Sequence, residues 1–329
     1  MTGNRTTSPR GFVTIGRAVA IPVARVSVVV AIVTVVLVAV AAVATLSLGR
    51  LGIPVTDLPG ALTGGADGTQ AFMLGRLRGP RLVVAVGTGA ALGLSGALFQ
   101  TVTRNPLGSP DVIGLAAGAG AGAAAAMALV YVSTGTGFRD PGRLIVVGIG
   151  VFSIATAFTQ YVVYAVERDK AAVLTAYVNG SLTARSWSHA VTVWVVLLVA
   201  VPLVALIAGR LDIGEMGDEL AGALGAGPRS TRAWAVTLSI VLSAGAVSVA
   251  GPVAFISLTA PQIAKRVTGR PGPQLTPAAL VGALLLVLAD LAAQQLPFPV
   301  NLPVGIYTLA IGGAYLGFLL VREWRKGRL

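Results

Sequence analysis

Cysteine is missing altogether from this 329-residue chain, and histidine occurs once, at His189. Disulfides, thiolate nucleophiles and cysteine-based metal centres are therefore excluded. Charge is scarce as well. Only 11% of the residues are charged against 55% hydrophobic, where a soluble domain carries about 25% charged. That is too little polar surface to keep such a chain in water. There are three lysines and no G-x-x-x-x-G-K-[ST] run, so no phosphate-cradling loop is available. If ATP is used, another subunit binds it.

What the chain has in abundance is long apolar runs. Val26 to Leu48 carries no charge over 23 residues, and a bilayer core needs about 20 for one helical span. Nine such spans can be marked, at 22–48, 80–103, 110–132, 143–166, 190–209, 231–250, 252–266, 275–295 and 303–321. The first is longer than a signal-peptide core, about 7 to 15 residues, and is expected to be retained. No linker divides the chain. The expectation is an all-α polytopic membrane protein, a single domain over 1–329 in contact with membrane lipid. Gly and Ala crowd the spans, as in "VGTGAALGLSGALF", and such faces let helices pack closely in lipid. A compact bundle follows.

The net charge of +12 is mostly arginine. Arg5, Arg10, Arg17 and Arg25 flank the first span, and Arg322, Arg325, Lys326 and Arg328 follow the last. Basic residues stay on the cytoplasmic side. Residues 1–20 are thus a cytoplasmic tail, and both termini lie inside. No basic patch is interleaved with aromatics as nucleic-acid binding would require.

The run "LFQTVTRNPLGSPDVIG" (98–114) interrupts the apolar text with Gln100 and a turn. The pre-proline position Asn105 disfavours helix before Pro106. Ser109 can cap a new helix with Pro110 at its first position and Asp111 in its first turn. The segment reads as a tight helix-to-helix corner.

Several motifs admit two readings. Gly93-Leu94-Ser95-Gly96 looks like an intramembrane protease motif, but the lone His189 lies at the polar start of a span, so Ser95 is read as a packing residue. "VVAVGTGAALG" lacks dinucleotide-binding spacing and context. No catalytic residue or metal ligand is assigned. In "MGDELAGALGAGP" (216–228), Met216, Leu220 and Leu224 recur at helical spacing. Asp218 and Glu219 suit a helix start, and Gly225 suits its end. This short amphipathic helix either rests on the membrane or docks a soluble partner. The basic run "RLRGPR" (76–81) either snorkels to headgroups or meets an acidic partner. Asp290 lies within a span, where a charge costs about 2.5–3.5 kcal/mol. Structural pairing is favoured for it over transport chemistry.

Five stretches together resemble the permease subunits of bacterial ABC importers for iron-siderophores, haem and vitamin B12, the FecCD and BtuC-like family. They are 79–119, "EMGDELAGALGA" (215–226), "AGPVAFISLTAPQIAKRVTG" (250–269), "GALLLVLADLAAQQLP" (282–297) and "LPVGIYTLAIGGAYLGFLL" (302–320). They look closest to one subunit of ferric-enterobactin-type permeases. The resemblance implies a bundle of about nine or ten spans with cytoplasmic coupling helices at 213–225. It implies a permease, not an enzyme, that binds no cofactor itself and moves a ferric siderophore across the bacterial cytoplasmic membrane. Haem or cobalamin is the alternative cargo, and an ion-coupled secondary transporter is a remote alternative. The implied partners are a paralogous permease subunit, two ATP-binding subunits holding ATP-Mg, and an extracytoplasmic siderophore-binding protein. Arg78 and Arg81 match arginines that meet that binding protein. Gly217, Asp218, Glu219, Ala221, Leu224 and Gly225 match the helix that sits in a groove of the ATPase. Asn105, Pro106, Ser109 and Pro110 match the turn after the central helix. Gln100 and Asp290 are the intramembrane polar residues.

The chain also departs from the family. Gly79-Pro80-Arg81 replaces Leu-Pro-Arg, Gln262 stands where the family has histidine, and Asn301-Leu302 stands where an acid precedes the final Pro-Val-Gly. Ala314 replaces a frequent proline. Between residues 110 and 142 there is room for one span where the family has two. Nine spans cannot place both termini on one side, so either this region rearranges or the sequence is an incomplete version of a ten-helix protein.

Overall fold

A computed structural model describes residues 12–15, 21–49, 51–110, 178–296 and 302–325, with scattered positions between 150 and 165. The expected spans 110–132 and 143–166, with the question of a missing helix, fall almost wholly outside them. A small antiparallel ribbon comes first, β1 (Phe12–Ile15) with β2 (Ile21–Ala24), Phe12 facing Ala24. The helices follow as α1 (Arg25–Ser47), α2 (Arg78–Thr103), α3 (Trp187–Gly214), α4 (Asp218–Ala223), α5 (Pro228–Ala250), α6 (Ile256–Thr268), α7 (Leu275–Gln295) and α8 (Val304–Arg325). Short helical turns over 58–77 lead into α2.

Of these, α1, α2, α3, α5 and α7 are long and apolar enough to cross a bilayer. The first span begins later than its hydropathy implies, because residues 21–24, with Pro22, are extended. The expected span 252–266 is corrected. Its helix has only 13 residues, about 20 Å of rise, because Gly251 and Phe255 take left-handed or open conformations (φ 72° and 68°) around Pro252. The irregular stretch 251–255 is buried or half-buried, the setting in which open backbone is tolerated at membrane depth.

α2 is the axis of the bundle. It packs against α7, α5, α6 and α3, and its side chains from Ala91 to Val102 are all buried. Two close approaches explain its small residues. Gly96 lies against the backbone of Ser257, and Gly282 of α7 lies against Gly89 and Gly93, so that any Cβ at these glycines would overlap main-chain atoms. Ser95 is the packing residue its glycine neighbours imply. Its Oγ donates to the Ser239 carbonyl on α5 at 2.5 Å, and Ser239 Oγ returns a bond to the Ser95 carbonyl at 2.9 Å. α1 and α3 lie outside this core, with Ile32, Val36, Val40, Leu198 and Leu206 exposed, as lipid-facing surfaces should be.

The α2–α6 contact yields a direct test. Gly96→Ala should destabilise the protein by about 2 kcal/mol or more through overpacking. Gly209→Ala on α3, where a Cβ meets nothing within 4 Å, should leave the thermal midpoint in detergent unchanged or slightly raised.

Candidate functional site

The ion pairs among the described residues lie at the two ends of α2. At its start, Arg78 Nη1 donates to the carbonyls of Thr45, Leu46 and Leu48 at 2.9, 3.1 and 2.5 Å. It thereby satisfies acceptors that the end of α1 leaves open. One helical turn on, Arg81 grips Asp290 of α7, with Nε 2.9 and 3.1 Å from the two carboxylate oxygens and Nη2 at 2.8 Å. Gln294 Nε2 adds a third donor at 2.7 Å. Asp290 is 1% exposed, and this fork is what lets the chain bury its charge. Asp290 is thus structurally paired. Neither reading of "RLRGPR" included these intramolecular bonds, which engage both guanidiniums within the fold.

At the far end the helix stops at Thr103, because Arg104 adopts the left-handed conformation (φ 49°). The Asn105 side chain accepts from the Leu107 N–H at 2.9 Å, and the Gly108 N–H returns to the Asn105 carbonyl. The corner therefore turns at Asn105 and Pro106 as expected. The Ser109 hydroxyl shares a hydrogen with Ser257 Oγ at 2.9 Å, and the N-cap expected of Ser109 falls on residues outside those described. The helix beyond residue 110 lies outside the described residues. Gln100 donates to the Leu258 carbonyl at 3.0 Å, while Gln262 donates to Gln100 Oε1 and to the Pro106 carbonyl, both at 2.9 Å. The corner is tied to α6 by side-chain amides and hydroxyls.

Beside the corner, α3 runs on to Gly214 and the chain reverses through Gly217 (φ 110°) into α4. α4 begins with Asp218 and Glu219, and it ends as the Ala226 N–H bonds the Ala221 carbonyl around Gly225 (φ 74°). Ala221 is fully buried, whereas Met216, Leu220 and Leu224 are 65%, 57% and 62% exposed. The helical spacing expected of Met216 is not kept, since it lies in the turn before Gly217, but with Leu220 and Leu224 it leaves three exposed apolar side chains at the end of a membrane bundle, which mark a contact surface.

The residue that orients α4 is Asp218. It takes an ion pair from Arg104 at 2.6 Å and another from Arg232 of α5 at 3.1 Å. Arg104 also donates to the Gly214 carbonyl at 3.0 Å. Burial would raise the Asp218 pKa. The charges of Arg232 and then Arg104, with their hydrogen bonds, outweigh that and hold it below its ordinary value. The residues expected for coupling thus divide. Ala221 is buried and Asp218, though about half exposed, is held by two arginines, while Glu219 and Leu224 stay exposed at the surface. Arg104, Arg232 and Gln262 are contributors that sequence reasoning did not assign. The available signal was the pair of acids Asp218 and Glu219 at a helix start in a strongly cationic chain.

His189 lies at the start of α3, where its Nδ1 meets Ser186 Oγ at 2.8 Å, while Ser95 is bonded to Ser239 instead. Among the described residues no group of three or more His, Asp or Glu is placed to hold a metal.

A depressed Asp218 pKa means that the clamp is fully charged above the ordinary carboxylate range and is lost as pH falls through the lower folded value. A spin label at Leu224→Cys, in a chain with no other thiol, should be more mobile at neutral pH when Asp218→Asn is added. The difference should vanish only once the pH falls below the lowered Asp218 value. At the other end, Asp290→Ala should cost about 3–5 kcal/mol, read from thermal unfolding in detergent.

A family model described as the FecCD transport family matches residues 36–135 and 119–322. The ferric enterobactin transport system permease protein FepG of Escherichia coli is 36% identical over 303 residues, covering 85% of this chain and 92% of that one. The Fe(3+)-citrate import system permease protein YfmE of Bacillus subtilis is 33% identical over 286 residues, 80% of this chain and 86% of the other. A solved chain from an ABC transporter described as of metal-chelate type, in an inward-facing conformation, superposes with a TM-score of 0.77. It is 23% identical and covers 89% of this chain and 99% of its own length. The fold is therefore that of an ABC transporter permease.

Proposed function

Because the chain belongs to the FecCD transport family, we propose that it is the permease subunit of an ATP-driven importer carrying a ferric siderophore across the cytoplasmic membrane. Permeases of ferric enterobactin and ferric citrate import among its relatives favour an iron chelate over haem or cobalamin. The observation that carries the reading is α4. A chain with no nucleotide-binding loop presents an exposed apolar stripe beside its membrane bundle, pinned through Asp218 to the ends of α2 and α5. Two ATP-binding subunits hold ATP-Mg and receive Met216, Glu219, Leu220 and Leu224 in a groove. When they close, α4 moves, and the Arg104–Asp218–Arg232 clamp passes that movement to α2 and α5. Since α2 touches most of the bundle, a shift there changes which side of the channel is open.

The orientation follows from charge. Arg25, Arg104, Arg210, Arg229, Arg232 and Lys265 gather at the α4 end, which the positive-inside trend places in the cytoplasm. The start of α1 and the end of α8 then lie on that side. The start of α2 faces outward, and the partly exposed edges of Arg78 and Arg81 are where acids of a siderophore-binding protein would dock. A paralogous permease chain completes the channel.

Leu220→Glu combined with Leu224→Glu should abolish co-purification of the ATPase and uptake of iron-loaded siderophore, with thermal stability close to the parent. Uptake that survives the pair would overturn the role of α4. Growth and uptake of a deletion strain on iron-loaded siderophores, haem and cobalamin, compared singly, decide the cargo.

A further inference from the structure

The clamp that holds α4 leaves a surplus of positive charge. A narrow cleft of about 40 Å³ opens where the ends of α2, α3 and α5 meet α4, lined among others by Arg104, Arg210, Arg232 and Asp218. Three guanidiniums thus face one carboxylate. Asp218 is shared by Arg104 and Arg232, while Arg210, exposed at the end of α3, has no hydrogen-bond or ion-pair partner among the described residues. Asp212 and Glu215, the other acids near this end of α3, lie outside the lining.

The cleft has a floor as well as a charge. Val102 and Leu211 are buried beneath it. One water needs about 10–15 Å³ of such volume, so the space suits a group with about three small oxygens. A guanidinium fork matches a phosphate oxygen pair in both geometry and charge. The surroundings also point toward lipid. Leu206 stands one turn before Arg210, on the same face of α3, and is 75% exposed. An acyl chain lying along that face brings its headgroup to Arg210. Basic pockets between spanning helices are the general means of holding anionic headgroups.

We propose that this cleft binds a phosphate group, with Arg210 as the main donor and the outer edges of Arg104 and Arg232 completing the cradle. The chemistry is shared by an anionic phospholipid headgroup and by free phosphate. The site does not depend on which chelate is carried. An anion seated there lies against Asp218 and competes with it for two arginines, so occupancy sets how tightly α4 is held.

The test uses the full chain in nanodiscs of phosphatidylcholine, with or without phosphatidylglycerol, and in a separate arm with inorganic phosphate. Retained lipid is read by native mass spectrometry and binding by the shift in thermal midpoint. Phosphatidylglycerol should bind and stabilise the parent, and Arg210→Gln should lower its apparent affinity about tenfold, as for one lost charged hydrogen bond. Arg210→Lys should restore part of it. Arg229→Gln, which removes a neighbouring exposed arginine outside the lining, should change it less than about twofold. Stabilisation by inorganic phosphate that Arg210→Gln abolishes supports the same site with a soluble ligand. Equal losses in Arg210→Gln and Arg229→Gln would show diffuse surface charge and overturn the proposal, as would no response to either phosphate source.

Discussion

Helices in lipid gain little from burying apolar side chains against each other, since the tails outside are as apolar as the core inside. What holds this bundle is backbone proximity, and α2 is where that constraint is met. Its glycines admit α7 and α6 to main-chain contact, and the reciprocal Ser95–Ser239 bonds close it onto α5. The ion pairs among the described residues are then all placed at the ends of α2. Its first turn carries the arginines that cap α1 and neutralise Asp290, and its last residues carry the corner and the grip on α4.

The two ends differ in strength, and the difference has a direction. At one end a nearly inaccessible carboxylate receives a forked guanidinium and an amide, an arrangement that costs several kcal/mol to disturb by removing one partner. At the other, the Asp218 clamp is about half exposed, and such pairs contribute about 1 kcal/mol or less. A helix of 26 residues is about 39 Å long and stiff between these points. It is therefore anchored at the Asp290 end and yielding at the α4 end, which fits the movement proposed for α4.

Spans α1, α2, α3, α5 and α7 were legible because a helix that must satisfy its backbone in lipid writes its length into hydropathy. The fault at 252–266 has the same origin: hydropathy counts apolar side chains and is blind to Gly251 and Phe255 leaving the helical region. The limits of α4 were legible too, from acids at its start and Gly225 at its end. Its facing was not, since Asp218 suits a helix start whether it looks outward or, as here, toward two arginines. Asp290 announced that it needed a partner. The choice of Arg81, 209 positions earlier, depends on how α2 and α7 are set side by side, which local pattern does not contain.

The Gln100–Gln262–Pro106 linkage carries one more consequence. Carboxamides neither gain nor lose protons over the physiological range, and they are not charged groups for salt to screen. The seam between the corner and α6 therefore keeps the same strength through acid shock or a surge of ions. Its neighbour, the Asp218 clamp, is responsive to both, so two adjoining joints of one protein answer differently to the same change in pH or salt.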